Sequence, residues 1–400
     1  MKKLPIGIQN IRDIITKEYI YIDKTQFALD LINNGKHYFL SRPRRFGRSL
    51  FLDTLKEIFK GNKALLGGCH IAHSNYDWQP YPVLSFNFST MASRTTESLK
   101  NDFKAKIANR GEKRGIDVEG LSLELQLDAL IKSLSQKGPV VVLIDEYDHP
   151  IISHLHNPEV AEGNRKLLQT FFGVLQNLDK HLKFTFIAGV SRFSKIALGS
   201  QVNHLKDISM DTKYATIAGY TQEEIVQYCD EHVQAITQNK NEHRQPCTKE
   251  EVLAEIKDWY NGYRFSKAET YVHNPFSTLN YLDERHLQNY WYVTGTPSFL
   301  IKQLHHYPSS AVPLSGTKAE EDELIHYGNL EKINIKALMF QTGYFTIKGY
   351  DADSNNYQLG FPNKEVQKAF TESLVRHFDL LDGTLPNERS FFGKISGSIF

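Results

Sequence analysis

The first half of the chain alternates short, continuously apolar runs with longer segments whose apolar residues recur every three or four positions. An apolar run of this length is typical of a strand buried on both faces of a sheet, and the longer spacing is typical of an amphipathic helix. Strands that alternate with helices in this way predict an α/β fold built on a largely parallel sheet. The predicted strands are 37–41, 82–88, 139–145 and 183–190, and the helices predicted among them are 94–110, 121–134 and 163–179.

The pattern changes at two points farther along the chain. After about residue 220 the apolar spacing becomes helical, and segments 222–236 and 248–259 are predicted helices. From about residue 331 the pattern combines strands at 338–347 and 357–361 with a helix at 366–378. We therefore predict a parallel sheet flanked by helices, then a mostly helical region, then a small mixed α/β segment. The expected boundaries are a lead-in over 1–36, an α/β domain over 37–220, a helical domain over 221–330 and a short α/β segment over 331–400.

The composition limits the kinds of partner and location that we expect. A chain of 400 residues is long enough for two or three domains, and its formal net charge of +1 offers no overall attraction to a polyanion. The three cysteines, Cys69, Cys229 and Cys247, are too far apart in sequence for a metal-binding pattern. No apolar run approaches the length of a membrane span, and the first residues are too polar for a signal peptide. We expect a cytoplasmic protein with no membrane partner.

The most informative local pattern is a basic loop between the first strand and an amphipathic helix. Phosphate-binding loops occupy this position and follow the pattern G-x-x-x-x-G-K-[ST]. Gly47 and Ser49 fit that pattern, and Ser49 would place its hydroxyl on Mg²⁺, whereas Arg42 stands at the first glycine and Arg48 at the lysine. Arg48 keeps the positive charge, but its planar guanidinium is not equivalent to an ammonium. A basic turn with solvated arginines is the alternative. The residues expected to bind ATP are Pro43, Arg44, Arg45, Phe46, Gly47, Arg48, Ser49 and Leu50.

A second pattern is an acidic pair at the end of the most apolar predicted strand. Asp145 ends that strand and Glu146 follows it, which is the arrangement of a Walker B element. Asp145 would help to hold Mg²⁺, and Glu146 would act as the general base that polarises the attacking water. Asp148 is a further acid in the same turn and is given a supporting role. The alternative is a strand end whose acids cap the next turn.

The predicted strand 183–190 also ends in polar residues. Ser191 at this strand tip would sense the γ-phosphate of a bound nucleotide. Arg192 would stabilise charge on the transferring phosphoryl group as a catalytic residue, or would pair with Asp145 or Asp148. An ordinary loop arginine is the alternative.

Eight segments spread along the chain carry a resemblance to a known family. They are Leu4–Ile8, Tyr21–Thr25, Ser41–Leu50, Leu143–Asp148, Gly189–Lys195, Trp259–Phe265, Asn274–Ser277 and Thr294–Leu300. Together they resemble the predicted AAA-ATPase-like family of bacterial proteins, which are P-loop NTPases commonly fused to a C-terminal PD-(D/E)XK nuclease-like domain. The resemblance implies a P-loop ATPase core of the AAA-like or STAND-like kind, followed by a helical region, with ATP and Mg²⁺ bound in the core.

Two departures from the family pattern affect the expected activity. Family members usually have Arg-Phe-Gly-Lys-Ser in the loop, where this chain has Arg48, and no Glu-x-Lys signature of the nuclease occurs after residue 331. We therefore expect an ATPase module in a truncated member of the family. One alternative is a nucleotide-binding switch with a protein partner and little turnover. Another is part of an ATPase–nuclease that acts on nucleic acid and whose nuclease end is missing.

Overall fold

A five-stranded parallel sheet forms the centre of the molecule, as the apolar runs predict. A computed structural model describes residues 1–192, 204–243, 246–295, 316–325 and 334–382. The segments 193–195 and 296–300, which carry part of the family resemblance, and the tail from 383 lie outside the described residues. The strands of this sheet are β1 (His37–Ser41), β2 (Val83–Asn87), β3 (Val140–Asp145), β4 (Leu182–Gly189) and β5 (Lys206–Asp207).

The order of the strands creates a crevice at one edge of the sheet. That order is β2-β3-β4-β1-β5, and all neighbouring strands are parallel. The chain leaves β1, which lies next to the edge strand β5, and returns at β2 on the far edge, so that β4 lies between β1 and β3. Ligands of open parallel sheets bind outside the carboxyl ends of the strands where the order reverses in this way. All six residues of β3 are buried, which agrees with its continuous apolar run.

Helices pack on the sheet and cover its apolar side chains. The helix that follows β1 places Phe51 against Phe186 and Phe59 against Phe184, with ring centroids 5.7 and 5.0 Å apart. The helices in this part of the chain are α1 (Ile11–Thr16), α2 (Thr25–Asn34), α3 (Arg48–Phe59), α4 (Thr96–Glu112), α5 (Leu123–Ser135), α6 (His149–Ile152) and α7 (Pro158–Asn177).

The helical region has a hydrophobic core of its own, and the lead-in contributes to it. Ile20 and Ile22 of the lead-in are buried together with Ile225, Val233 and Ile256. Helix α2, by contrast, packs its apolar face into the core of the parallel sheet. The helices of this region are α8 (Gln222–Tyr228), α9 (Asp230–Glu242), α10 (Lys249–Tyr260), α11 (Pro275–Glu284) and α12 (Tyr290–Gly295).

The C-terminal part contains a small antiparallel sheet, and it corrects one sequence prediction. Segment 338–347 was predicted as a single strand, but it contains the end of a helix and the start of a strand. The helix is buried on nearly all sides, so its apolar run resembles that of a strand. The Asn334 side chain caps its start, and Gly343, with φ +91°, ends it. The elements are β6 (Lys318–Glu320), α13 (Glu321–Ile325), α14 (Ile335–Thr342), β7 (Thr346–Asp351), β8 (Asn356–Gly360) and α15 (Lys364–Asp382), with sheet order β6-β8-β7.

Among the residues that the structure describes, no helix is long and apolar enough to cross a bilayer.

Candidate functional site

The loop between β1 and α3 has a backbone shaped to receive an anion. Gly47 has φ +91° and Arg45 has φ +68°, both in the left-handed region. Helix α3 begins at Arg48, and its capping residue Gly47 supplies no side chain to its first N–H groups. The N-terminus of a helix carries a partial positive charge and unpaired N–H donors, so it attracts phosphate. A Cβ at position 47 would meet no atom within 4 Å, so conformation rather than space favours glycine there.

Arg48 and Glu146 form an ion pair at this loop. Arg48 Nη2 donates to Glu146 Oε1 over 2.6 Å, and the two side chains are only 3% and 18% exposed. The other terminal nitrogen of Arg48, Nη1, is buried and has no hydrogen-bond partner among the described residues. A buried donor without an acceptor is costly, so this nitrogen is a ready contact for an anionic ligand.

Ser49 and Asp145 come together beside this ion pair. The Ser49 hydroxyl donates to Asp145 Oδ2 over 2.5 Å, and the other carboxylate oxygen accepts from the backbone N–H of Glu146. Burial raises the pKa of Asp145, and the charge of Arg48 acts in the opposite direction. A hydroxyl and a carboxylate in contact supply the hard oxygen ligands that Mg²⁺ prefers, so these two residues fit that ion.

A cavity of about 300 Å³ opens against the loop. On the loop side it is lined by Gly47, Ser49 and Leu50, and three arginines of the loop face one acid, Glu146. This wall therefore suits a ligand with several negative charges. The arginines are Arg44, Arg45 and Arg48.

Another part of the cavity lining is mostly apolar and was not predicted from the sequence. It combines lead-in residues with the start of α11, which lies about 270 positions later in the chain. Arg45 lies over the ring of Phe276, with 5.0 Å between its guanidinium carbon and the ring centroid. In the sequence, these residues stood out only because segments Leu4–Ile8 and Asn274–Ser277 resemble the family, and neither segment was assigned a role. The apolar lining residues are Pro5, Ile8, Tyr220, Pro275, Phe276 and Leu279.

Two loop residues expected to bind ATP support the loop from behind instead. Phe46 is buried against the rings of Tyr263 and Phe265, at centroid distances of 4.7 and 5.6 Å. Pro43 packs so closely on Gly343 that a Cβ added there would lie 2.8 Å from the Pro43 Cβ. Neither Pro43 nor Phe46 lines the cavity. Both side chains therefore hold the loop against the helical and C-terminal parts of the chain.

Another contact to the back of the loop was missed by sequence reasoning. The indole nitrogen of Trp291 in α12 donates to the carbonyl oxygen of Arg44 over 3.1 Å. Trp291 is fully buried, and no local pattern distinguishes it from an ordinary core residue. The loop is thus fixed by residues far away in the sequence.

Ser191 and Arg192, at the tip of β4, do not line the cavity. Ser191 is fully buried, and its hydroxyl donates to Asp148 Oδ2 over 2.7 Å. The expected pairing of Arg192 with Asp145 or Asp148 is wrong, because its guanidinium binds Asp207 over 2.6 and 2.9 Å. Asp207 belongs to β5, a two-residue strand beside β1 that the hydrophobic pattern did not reveal.

The part of the chain that forms the loop and most of the parallel sheet matches a known protein family. The model of the family described as "Predicted AAA-ATPase" matches residues 5–199, which include the loop, β3 and β4. The chain is also 37% identical over 383 residues to a protein of Azotobacter chroococcum mcd 1 called "Uncharacterized protein in vnfD 5'region". That alignment covers 94% of this chain and 70% of the relative. With this match and a five-stranded parallel sheet that bears the expected loop, the chain belongs to the predicted AAA-ATPase-like family.

Proposed function

We propose that this chain binds ATP together with Mg²⁺ in the cavity and hydrolyses the terminal phosphate, with Glu146 as the general base. The observation that carries the proposal is the buried Arg48, which pairs with Glu146 through one nitrogen and leaves the other without a partner. A triphosphate offers the acceptors that this nitrogen and the N-terminus of α3 lack. The apolar part of the cavity lining would accommodate the base.

The metal would be held where the loop meets β3. Ser49 and Asp145 already share a hydrogen bond, and both offer oxygen ligands. A bound Mg²⁺ would offset the charge of the phosphate oxygens during transfer. The hydrogen bond from the Ser49 hydroxyl to Asp145 keeps the two ligands together.

Glu146 can serve as a base only when its carboxylate is free to accept a proton. In the structure one of its oxygens accepts from Arg48. Phosphate oxygens compete for the same guanidinium, so a bound triphosphate would loosen this pair. Water would then attack the γ-phosphorus, its proton would pass to Glu146, and the bond from phosphorus to the ADP oxygen would break.

The same ion pair supports a second candidate, a nucleotide-binding switch with little turnover. A guanidinium can bind a carboxylate and a phosphate in a fixed fork, whereas a lysine ammonium is a compact charge on a flexible stem. If Arg48 kept its contact with Glu146 after ATP bound, the base would stay occupied. Nucleotide would then change the conformation of the chain without rapid hydrolysis.

Calorimetric titration of the purified chain with ATP, with and without Mg²⁺, tests the binding site. We expect Arg48→Ala to weaken ATP binding by about tenfold to a hundredfold, since it removes a charge-assisted hydrogen bond to phosphate. The control is Arg165→Ala, because Arg165 pairs with Glu162 on α7 outside the cavity. An ATP affinity unchanged by Arg48→Ala, or reduced equally by both substitutions, would contradict the proposal.

Turnover of Arg48→Lys separates the two candidates. A switch held by the guanidinium fork predicts that Arg48→Lys hydrolyses ATP at least about tenfold faster than the parent. An ATPase that tolerates arginine predicts a rate equal to or below that of the parent.

A further inference from the structure

The two residues that follow Glu146 tie the end of β3 to the tip of β4. Asp148 is only 1% exposed. Its carboxylate accepts the backbone N–H of Ser191 and the Ser191 hydroxyl, both over 2.7 Å, and the N–H of Val190 over 3.3 Å. A buried carboxylate that accepts three donors fixes the relative position of the two strand ends.

Tyr147 also connects the turn after β3 to the end of β4. Its backbone N–H donates to the carbonyl of Ala188, and its hydroxyl donates to the carbonyl of Ser191 over 2.7 Å. Its ring packs edge-on against Phe39 in β1, with 5.3 Å between the ring centroids. The turn after β3 is therefore attached both to β1, the strand that leads into the loop, and to the tip of β4.

Gly189 at the end of β4 makes this close approach possible. A Cβ at this position would lie 2.3 Å from the Tyr147 ring and 2.6 Å from Asp148 Oδ1. Real Cβ atoms do not approach so closely, so the two side chains occupy the volume that any other residue would need. The contact is therefore specific to glycine at this position.

Glu146 needs such support because its own backbone is in the left-handed region, with φ +50°. This conformation costs about 1–2 kcal/mol for a residue other than glycine, and it persists only where the surroundings impose it. The backbone N–H of Glu146 donates to Asp145, and its carbonyl accepts from His149. Tyr147 and Asp148 hold the next part of the chain, so that the turn cannot relax.

We propose that Asp148 is a positioning residue, which holds Glu146 in the conformation that directs its carboxylate at the cavity. The role rests on the proposed function, because it assigns Asp148 to the general base of that reaction. Tyr147 assists it, and Ser191 is the anchor on β4. Asp148 does not line the cavity, so its loss should slow the chemical step without weakening ATP binding.

Asp148→Asn tests this role because it keeps the shape of the side chain. An asparagine must place its amide NH₂ where the carboxylate accepted a donor, so at least one contact to β4 becomes repulsive. We expect kcat for ATP hydrolysis to fall by at least about tenfold, while the dissociation constant for ATP stays within about twofold, because small misplacements of a catalytic group lower the rate strongly. Ser191→Ala, which removes only the hydroxyl donor, should have a smaller effect of the same kind.

Asp23→Asn is the matched control. Asp23 also accepts two backbone N–H groups, from Thr25 and His70, and it does not line the cavity. All rates are compared well below the unfolding temperature of each variant. The same kcat in Asp148→Asn and the parent would overturn the positioning role and leave the proposed function intact. A loss of kcat matched by an equal loss of ATP affinity, or by the same loss in Asp23→Asn, would also overturn it.

The parent protein itself could fail to hydrolyse ATP. In that case Asp148→Asn is introduced into the Arg48→Lys background, and its rate of hydrolysis is compared with that of Arg48→Lys alone. If that background also fails to hydrolyse ATP, the hydrolytic part of the proposed function is refuted, and the positioning role is refuted with it. Failure of hydrolysis in both backgrounds is thus distinguished from failure of Asp148 alone.

Discussion

Arg42 and Arg48 stand at the two ends of the same loop, and both are buried, but only Arg48 lines the cavity. Arg42 is 1% exposed and donates to the carbonyl oxygens of Ser41, Ser209 and Tyr214. Its guanidinium also lies over the Phe265 ring, with 4.4 Å between the guanidinium carbon and the ring centroid. The residue at the place of the first motif glycine thus turns into the protein, which explains how the loop forms without that glycine. Arg48 lies at the cavity instead.

The first prediction concerns the structural role of Arg42. Burial lowers the pKa of its guanidinium to about 9, so it stays charged at neutral pH. Arg42→Lys keeps the charge but cannot reach three carbonyls, and it leaves buried acceptors unpaired. We expect it to lower the free energy of unfolding by about 2–4 kcal/mol, measured by denaturant titration. Arg165→Lys, at a partly exposed arginine that pairs with Glu162 on its own helix, should change it by less than about 0.5 kcal/mol. Equal effects of the two substitutions would show that the Arg42 contacts are unimportant.

Strands and helices were predictable from the sequence where their apolar residues formed one simple pattern. Strands β1 to β4 each carry a continuous or nearly continuous apolar run, and all four were predicted. Helix α14 was misread as a strand because burial on nearly all sides removes the amphipathic pattern. Strand β5 has two residues, too few for any period to be visible.

The candidate site was predictable only in its local parts. Gly47 and Ser49, like Asp145 and Glu146, are neighbours in sequence, and parallel pairing brings strand ends to one edge. The apolar wall of the cavity and the Trp291 contact join segments more than 200 positions apart. Such contacts depend on how helices pack, and no local pattern encodes that.

The second prediction concerns Glu365, which joins three helices. This buried residue of α15 accepts the hydroxyl of Ser277 in α11 and the backbone N–H of Trp291 in α12. Burial raises its pKa to about 8, so the folded chain retains a proton that the unfolded chain releases near pH 4.5. Its contribution to stability is therefore present below about pH 4.5 and is lost as the pH rises to about 8, with a slope of up to about 1.4 kcal/mol per pH unit.

Glu365→Gln, which is neutral at every pH, removes this dependence. We expect the difference in unfolding free energy between the variant and the parent to grow in favour of the variant from pH 5 to pH 8. Denaturant titrations at several pH values measure that difference. A difference that does not vary with pH would mean that Glu365 has an ordinary pKa.

At the scale of the whole molecule, the cavity joins three regions of the chain. Its walls come from the lead-in, the parallel-sheet region and the helical region. A ligand that touches all three would hold them together and stabilise the folded chain by mass action, by about 2.7 kcal/mol at a hundred times its dissociation constant.

The third prediction separates the charged and the apolar parts of the cavity lining. Phe276→Ala should weaken ATP binding by about fivefold to tenfold, because it removes apolar surface from that lining. The same substitution should leave binding of inorganic tripolyphosphate unchanged within about twofold, since that ligand lacks a base. Calorimetric titration with both ligands measures this. Equal losses for both would place the base elsewhere.

The role of Glu146 is tested by the rate of ATP hydrolysis at saturating Mg²⁺ and ATP, measured for the parent and for Glu146→Gln at equal nucleotide occupancy. If Glu146 is the general base beside a bound triphosphate, the variant should bind ATP at least as well as the parent and hydrolyse it at least about a hundredfold more slowly. Equal rates for the two proteins, with ATP bound to both, would show that Glu146 is not the general base.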